Sequence, residues 1–474
     1  MIFSSNVFIY VFLPAVVVCY FLLRLVPKVY RPLTNTLLLL ASIGFYIWGS
    51  GRYVLILLTS ILVNYILGLL VDATRHRPAA KPVFVLSIVF NVCFLFWFKY
   101  MNFALENIKL LSHNILDKDM NVVLNVVLPI GISFYTFQAM SYVIDVYKGE
   151  VQVQKNPLKL ALYISFFPQL IAGPIVRYSD VSDAIDHRRE SLDDFYHGFC
   201  RFIVGLGKKV LIADILATPV NEIFALPAEN LTCAFAWTAV FLYTLEIYFD
   251  FSGYSDMAIG MARMFGFHFK ENFLLPYTAQ NVTVFWRKWH ISLSSFLRDY
   301  IYIPLGGNRK GMVRTYINLG IIFLICGIWH GAAWTFVLWG IYHGALLIIE
   351  RVLKHHKNWA MKGIVGQIVT FFLVMVGWTI FRADTIGQLG TFLRAMFGFG
   401  TATGFQYYKL SYYVTPLIAT VAVVGLILSA VPFTRLKEYL DKSWIKGVAC
   451  ILLLAVCMVF MSDASFNSFI YFKF

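Results

Sequence analysis

The sequence predicts an all-α polytopic membrane protein, with roughly eleven or twelve transmembrane helices and further re-entrant or interfacial helices around a central tunnel. Of its 474 residues, 59% are hydrophobic and 14% are charged, and the mean hydropathy is +0.72. These values lie outside the range of water-soluble domains. Roughly a dozen apolar blocks recur along the chain, most near the length of a bilayer-spanning helix. Without internal repeats or linkers, residues 1–474 are expected to form one membrane domain.

The distribution of positive charge predicts the orientation of the chain. The net charge is +14, but Lys and Arg concentrate in short loops between spans, which indicates cytoplasmic loops and not nucleic-acid binding. The basic clusters Arg24–Arg31 and Arg75–Lys81 then place the N-terminus outside, where we expect a retained span and no signal peptide. Continued alternation also places the tail, residues 462–474, outside. The seven cysteines show no metal-ligand spacing, so no metal is expected.

Three stretches carry polar residues inside apolar surroundings. A predicted helix in Leu128–Glu150 has a polar stripe that includes Gln138, and it could serve interhelical hydrogen bonding or line a cavity. The stretch Phe166–Asp180 combines two prolines with Gln169, which predicts a re-entrant segment. Further along, Glu246 and Asp250 lie four residues apart on one helix. No histidine accompanies them, so we expect a structural or cavity-lining role and pairing with arginines of the next segment.

The stretch Asn281–Arg351 is the most informative part of the chain. Residues 283–303 are predicted to form one helix of about 20 residues, roughly 30 Å long, with Asn281 or Thr283 as its N-cap. Residues of different chemistry fall near one face of this helix, namely Arg287, His290, Ser294 and Arg298. An interfacial amphipathic helix and a catalytic re-entrant helix remain equally open.

His330 follows this helix inside a long apolar run, directly after Trp329. An ionisable side chain within a span is costly unless it faces a cavity or a partner, so His330 is a candidate functional residue. A satisfied structural histidine is the alternative that the residues alone leave open, and His343 is expected to be structural.

Two long motifs resemble a known family. WRKWHISLSSFLRDYIYIPLGG, followed about forty residues after its histidine by GIWHGAAWTFVLWGIYHG, resembles the signature of membrane-bound O-acyltransferases. LPIGISFYTFQAMSYVIDVYKG and FFPQLIAGPIVRYSD resemble the bacterial branch of alginate and peptidoglycan O-acetyltransferases. The chain is similar also to the membrane subunit of teichoic-acid D-alanylation. The resemblance is dense over residues 128–344.

The resemblance implies a function and three catalytic positions. The chain would move an acetyl group from cytoplasmic acetyl-CoA across a bacterial inner membrane toward an extracytoplasmic cell-envelope glycan, with a hydrolase-like (SGNH) acetyltransferase as partner. His330 matches the invariant histidine of the family, and His290 matches its second functional polar position. The C-terminal FIYFKF resembles an aromatic motif whose tyrosine, here Tyr471, is proposed to carry the acyl group.

Acyl transfer to a hydroxyl needs a base and stabilisation of the developing oxyanion, and a buried neutral imidazole suits the first task. The phosphates of coenzyme A, a substrate and not a resident cofactor, are expected to bind basic residues, namely Arg287, Lys288, Arg298 and Arg309. The expected tunnel-lining residues are Gln138, Gln169, Asp250, Ser294 and Trp329. Besides the lipid bilayer, the expected partners are acetyl-CoA, the transferase and the glycan.

Two alternative functions remain open: D-alanyl transfer from a carrier protein to teichoic acid, and a transporter or flippase.

Overall fold

The computed structural model describes residues 3–26, 29–117, 122, 124–357, 361–400, 402, 409–432, 444–463 and 470. These residues form helices and connecting segments and include no β-strand, which confirms the predicted all-α fold class. The chain divides into two compact units. The first comprises residues 1–199 and 258–270, and the second comprises residues 200–257 and 271–474.

Several described helices are long and apolar enough to cross a membrane. By length and composition there are six of them within the described ranges: Tyr30–Thr74, Ala80–Ile115, Met312–His330, Trp334–His355, Gly363–Arg382 and Ile445–Ser462. Two shorter apolar helices are Phe8–Leu23 and Pro416–Ala430. The chain is therefore a multi-pass membrane protein, while the predicted number of eleven or twelve spans stays a prediction.

The first unit is built around one deeply buried helix. Its helices are a π-helix Phe8–Phe12, α1 Leu13–Leu23, α2 Tyr30–Ser50, a 3₁₀ turn Gly51–Tyr53, α3 Val54–Thr74, α4 Ala80–Leu95, a π-helix Phe96–Tyr100, α5 Met101–Leu116, α6 Ile132–Lys148, α7 Pro157–Ser165, α8 Phe167–Leu170, α9 Tyr178–His187 and the start of α10 Leu192–Gly207. Helix α6 packs against α3, α4, α7 and α9. Nearly every side chain from Ile132 to Val146 is buried, because neighbours surround the helix on all sides.

A glycine makes the start of α6 possible. Gly131 has φ +75°, and a Cβ there would lie 2.6 Å from the Leu170 carbonyl oxygen. The backbone that it contacts is irregular, since α8 has only four residues, and every residue from Phe166 to Val176 is buried. The irregular backbone is thus enclosed by protein, the condition under which such backbone is tolerated in a membrane, while the predicted re-entrant course stays a prediction.

The second unit carries both sequence-predicted histidines. Its helices are the end of α10, a π-helix Lys208–Ala213, α11 Asp214–Phe224, a 3₁₀ turn Ala228–Asn230, α12 Cys233–Met264, a 3₁₀ turn Pro276–Thr278, α13 Val282–Lys288, α14 Ile291–Leu297, a π-helix Arg298–Tyr302, α15 Met312–His330, α16 Trp334–Lys357, α17 Gly363–Arg382, α18 Ile386–Met396, α19 Leu410–Tyr413, α20 Pro416–Ala430 and α21 Ile445–Asp463. Part of α12 belongs to the first unit.

Glycines bring two pairs of helices in this unit into backbone contact. A Cβ on Gly205 of α10 would lie 2.6 Å from the Gly253 carbonyl oxygen of α12. In the same way, a Cβ on Gly340 of α16 would lie 2.3 Å from the Phe323 carbonyl oxygen of α15. Such small-residue contacts let membrane helices pack closely where lipid offers no hydrophobic driving force. The contact between α15 and α16 holds α15, the helix that ends at His330.

Candidate active site

The prediction of one continuous helix over residues 283–303 is wrong, because the helix is interrupted at Trp289 and His290. Asn281 caps α13 as expected, its side chain accepting a hydrogen bond from the Val284 N–H at 2.9 Å. After Lys288 the backbone becomes extended at Trp289 and left-handed at His290, with φ 42° and ψ 57°. Helix α14 begins only at Ile291. A left-handed non-glycine residue costs of the order of 1–3 kcal/mol and persists only where its surroundings impose it.

Hydrogen bonds from outside the interrupted helix impose this geometry. The N–H of Ile291 donates to the carbonyl oxygen of Asn272 at 3.0 Å, and the N–H of Leu274 donates to that of Lys288, also at 3.0 Å. The chain between α12 and α13 therefore supplies partners that a continuous helix would have supplied itself. The pattern of apolar residues cannot reveal such partners, because they come from a segment ten or more residues away in sequence.

His290 is enclosed by aromatic rings. Its side chain is 0% exposed and packs edge-on against Phe251, with ring centroids 4.6 Å apart at 87°. The ring centroid of Trp329 lies 6.1 Å from that of His290. Burial lowers the pKa of His290 from its usual 6.5 to about 3, so the imidazole is neutral at physiological pH.

His330 ends α15 in a second aromatic enclosure. It is 4% exposed, and its ring packs edge-on against Trp339 at 4.9 Å and Phe381 at 5.3 Å. Gly331 follows, and a Cβ at this position would lie 2.1 Å from the Phe336 ring. The Trp-His-Gly sequence therefore lets an aromatic ring close over the end of the helix.

Trp329 connects the two histidines. Its ring centroid is 5.0 Å from that of His330 and 6.1 Å from that of His290. The structure thus brings together three sequence-predicted site residues that are separated by up to forty positions in the chain. A hydrophobic enclosure with few polar groups is the environment in which a neutral imidazole can act as a base.

Asp250 takes part in a buried ion pair, but not with the predicted partner. We expected arginines of the following segment; instead, Lys209 of the preceding π-helix lies 2.7 Å from Asp250 and 2.7 Å from Asp214. Likewise, Asp256 pairs with Arg201 and Lys208. The prediction is wrong because α10 and its continuation run alongside α12, whereas Arg298 pairs with its neighbour Asp299.

The other residues predicted to line a tunnel are divided between the two units. Ser294 is partly buried, and its hydroxyl donates to the Trp289 carbonyl oxygen at 3.4 Å. Gln138 and Gln169 belong to the first unit and are both buried. There Gln169 donates to the carbonyl oxygen of Tyr163, and the Tyr163 hydroxyl contacts the carbonyl oxygen of Gln138 at 3.2 Å. Whether any of these residues lines a tunnel stays a prediction.

The predicted donor-binding residues lie at the surface of the second unit. The side chains of Arg287, Arg298 and Arg309 are exposed, whereas Lys288 is partly buried and donates to the Thr278 hydroxyl at 2.6 Å. Three of the four are thus accessible to a soluble anion, although Arg298 shares its charge with Asp299.

Tyr471 lies outside the described residues. The residue before it, Ile470, is described and buried, and its N–H donates to the Asp250 carboxylate at 2.8 Å. The Asp250 carboxylate therefore binds both Lys209 and the chain near its C-terminal end.

Sequence reasoning missed Asn272. This residue is fully buried, and its side chain contacts His290 and Ser292. Nothing in the stretch ENFLLPYTAQN distinguishes it, because its importance arises from contacts with residues about 20 positions away. Only the turn-forming character of the neighbouring residues hints that this segment is irregular.

An all-helical membrane chain with two buried histidines sharing one tryptophan fits a membrane-embedded acyltransferase. Comparison with known proteins agrees: the chain belongs to the MBOAT, membrane-bound O-acyltransferase family, whose model matches residues 84–384. The predicted family and the prediction of an acyltransferase are both confirmed.

The names of three relatives refer to alginate, peptidoglycan and teichoic acid. The chain is 44% identical over 404 residues to the "Probable alginate O-acetylase AlgI" of Pseudomonas aeruginosa, covering 85% of this chain and 76% of the relative. It is 34% identical to the "Peptidoglycan O-acetyltransferase" of Helicobacter pylori, over 100% of this chain and 98% of the relative. The "Teichoic acid D-alanyltransferase" of Bacillus subtilis is 29% identical over 54% of this chain and 69% of the relative.

Proposed function

We propose that this protein is an O-acetyltransferase, one membrane domain in a bacterial inner membrane. It takes an acetyl group from cytoplasmic acetyl-CoA and passes it toward an extracytoplasmic polysaccharide, either an alginate-like polymer or peptidoglycan. One observation carries the proposal: two buried histidines share Trp329 in a chain that aligns from end to end with a peptidoglycan O-acetyltransferase. The names of the relatives support acetyl as the group and a glycan as the destination.

His330 is the general base in this proposal. Its neutral imidazole accepts the proton of the acceptor hydroxyl while the hydroxyl oxygen attacks the thioester carbonyl carbon. A carbon–oxygen bond forms, the carbon–sulfur bond breaks, and the proton passes to the departing thiolate of coenzyme A. The rings of Trp339 and Phe381 pack edge-on against this imidazole. His290 positions or activates the donor or the acceptor.

Coenzyme A binds the exposed cations of this region. Arg287, Arg298 and Arg309 are accessible, and guanidinium groups bind phosphate with two parallel hydrogen bonds. Lys288, the last residue of α13, adds a fourth charge. The positive-inside rule places the basic loop around Arg309 on the cytoplasmic side, where acetyl-CoA is available.

The acetyl group leaves the protein through an intermediate acceptor, either Tyr471 or a serine of a hydrolase-like partner transferase. Both termini are extracytoplasmic in this proposal, by alternation of the spans. The N–H of the buried Ile470 donates to the Asp250 carboxylate, which supports a role for the residue that follows it by bringing its neighbour to the second unit. Within the second unit, Asp250, Ser294 and Trp329 line the path of the acetyl group.

The test uses the full chain in proteoliposomes with acetyl-labelled acetyl-CoA on the cytoplasmic side and the partner transferase with glycan inside. Wild-type protein should transfer label to the glycan without transport of coenzyme A. His330→Ala should lower the rate about 10²- to 10⁴-fold, the usual contribution of a general base. His187→Ala, which changes an exposed histidine, is the control. Unchanged glycan labelling in His330→Ala would contradict the proposal.

Two further arms separate the finer alternatives. Tyr471→Phe should abolish labelling if the tyrosine carries the acetyl group, and unchanged labelling would assign the acceptor to the partner's serine. D-alanyl transfer is the second candidate, favoured by the similarity to a teichoic acid D-alanyltransferase. Supplying a D-alanyl carrier protein in place of acetyl-CoA tests it directly. Activity with that donor alone would overturn acetyl-CoA as the substrate.

A further inference from the structure

Asn272 lies in the irregular segment between α12 and α13 and joins three parts of the second unit. Its amide nitrogen donates to the Ser255 hydroxyl of α12 at 3.0 Å. Its side-chain oxygen accepts from the Ser292 N–H at 3.2 Å and from the Ser292 hydroxyl at 2.9 Å. The same oxygen lies 3.2 Å from Nδ1 of His290.

These contacts fix which way the amide points. Oxygen and nitrogen of an asparagine are nearly indistinguishable by shape, so the assignment has to come from the partners. The Ser292 N–H can only donate, so the Asn272 atom facing it is the oxygen. The nitrogen then faces Ser255, whose hydroxyl can accept.

The amide in turn fixes the proton on His290. A carbonyl oxygen cannot donate, so the contact between Oδ1 of Asn272 and Nδ1 of His290 is a hydrogen bond only if Nδ1 carries hydrogen. The Ser292 hydroxyl lies 3.4 Å from Nδ1, but its one hydrogen serves the shorter contact with Asn272. A neutral imidazole with hydrogen on Nδ1 has its lone pair on Nε2.

Asn272 also holds the backbone around His290. Its carbonyl oxygen accepts from the Ile291 N–H at 3.0 Å, directly after the left-handed residue. Main chain and side chain of one asparagine thus bind residues 290 to 292 together, which keeps the imidazole in one orientation.

An ion-pair network fixes Asn272 itself. The neighbouring Glu271 accepts from both terminal nitrogens of Arg201, at 2.7 and 2.6 Å. Arg201 also donates to Asp256 at 2.8 Å, and Asp256 follows Ser255 on α12. The segment at Asn272 is therefore attached to α12 twice, through Arg201 and through Ser255.

We propose that Asn272 is a positioning residue that holds His290 with its proton on Nδ1 and directs Nε2 toward the reacting groups as a proton acceptor. The proposal rests on the proposed function only in assigning His290 to the acyl-transfer site. The hydrogen bond at one ring nitrogen of a histidine sets which nitrogen carries the proton, and at metal-binding histidines the loss of such a partner lowers metal affinity or activity about 10- to 100-fold.

The charged groups beside the residues that contact His290 are already engaged: Glu271 and Asp256 with Arg201, and Asp250, next to Phe251, with Lys209. His330 follows Trp329 on the remaining side. Introducing a carboxylate at residue 272 would therefore place a single new charge against His290.

The decisive measurement is nitrogen NMR of full-length protein with ¹⁵N-labelled histidine in lipid nanodiscs. The His290 signals are identified by their loss in His290→Gln. We expect a protonated Nδ1 and an unprotonated Nε2 in wild-type protein. The opposite tautomer would overturn the proposal, and this readout does not depend on whether the protein transfers acetyl groups.

Variants test the consequence for catalysis. Asn272→Leu should lower kcat about 10- to 100-fold with little change in KM for acetyl-CoA, and should mix the two tautomers. Asn272→Asp keeps the accepting oxygen, so it should retain the tautomer and recover most of kcat. Its charge raises the pKa of His290, so the acid limb of the pH profile should move to higher pH.

Asn318→Leu is the matched control, because this asparagine is equally buried and donates to the Gly307 carbonyl oxygen on another segment. The tautomer and the pH profile should not change. If Asn272→Leu does not fold, the wild-type spectrum and the Asn272→Asp variant still test the proposal. An unshifted acid limb in Asn272→Asp would overturn the proposal, whereas full activity of His290→Gln with the expected tautomer would contradict only the proposed function.

Discussion

The N–H of Ile291 donates to the carbonyl oxygen of Asn272 at 3.0 Å, across the point where an otherwise helical stretch is interrupted. The interruption converts one amphipathic stretch into two helices of seven residues each. It also turns His290 into the protein interior, where it is fully buried. An uninterrupted helix would carry His290 at a fixed angle to its neighbours, without the hydrogen bond to Asn272.

The left-handed backbone of His290 gives a first prediction. This conformation costs an L-residue with a Cβ about 1–2 kcal/mol, whereas the cost is absent for glycine and smaller for asparagine. His290→Gly and His290→Asn should therefore unfold at higher temperature than His290→Ala in detergent. All three should be inactive if the proposed function holds. An alanine variant as stable as the glycine variant would mean that the backbone relaxes when the imidazole is removed.

The sequence was sufficient to predict the features that depend on composition and short-range pattern. Hydropathy predicted an all-helical membrane protein, the stretch Leu128–Glu150 was predicted to contain the helix α6, and Asn281 was one of two predicted N-caps. The motif WRKWH, by resemblance, drew attention to His290. Each of these signals lies within a few residues of the feature that it predicts.

Features that depend on the packing of distant segments could not be predicted. The partner of Asp250 was expected after α12 but lies before it, because charge alone does not say which neighbouring helix runs alongside. The interruption at His290 depends on Asn272, which carries no local signal. Periodicity over 283–303 favours one helix, and only tertiary hydrogen bonds override it.

The pKa of His290 predicts a pH dependence of stability. Burial lowers this pKa to about 3, while the unfolded chain has a value near 6.5. Between these two values the unfolded state binds more protons than the folded state, so stability rises with pH across this window. The wild-type unfolding temperature should fall as pH is lowered from 7 to 4, and His290→Asn should show a shallower fall. Equal slopes in the two proteins would contradict the burial of a neutral imidazole.

The buried lysine between two carboxylates predicts a large loss of stability on substitution. Lys209 is 2% exposed and lies 2.7 Å from each of Asp214 and Asp250. Lys209→Met leaves these charges uncompensated, which costs about 3–5 kcal/mol for a buried pair. Chemical denaturation in detergent measures the loss, and the double variant with Asp250→Asn should recover part of it.

A partly exposed pair supplies the control for Lys209. Lys159 lies 2.6 Å from Asp186, and about a third of each side chain is exposed. Lys159→Met should therefore cost at most about 1 kcal/mol. If the two lysine variants lost similar stability, the buried position of Lys209 would not be responsible for the effect.

The close contact between α10 and α12 predicts that added methyl groups disrupt the second unit. A Cβ on Gly205 would lie 2.6 Å from the Gly253 carbonyl oxygen, and a Cβ on Gly253 would lie 2.8 Å from that of Gly205. Both distances are too short for carbon and oxygen atoms, so the helices must separate. Separation also weakens the neighbouring ion pair between Lys209 and Asp250, which needs both helices at this spacing. Gly205→Ala and Gly253→Ala should each lower the unfolding temperature.

Gly320→Ala is the control, because nothing lies within 4 Å of a Cβ at this position on α15. It should stabilise the helix by about 0.5–1 kcal/mol. A destabilised Gly320→Ala together with neutral variants at Gly205 and Gly253 would show that α10 and α12 are not held in backbone contact.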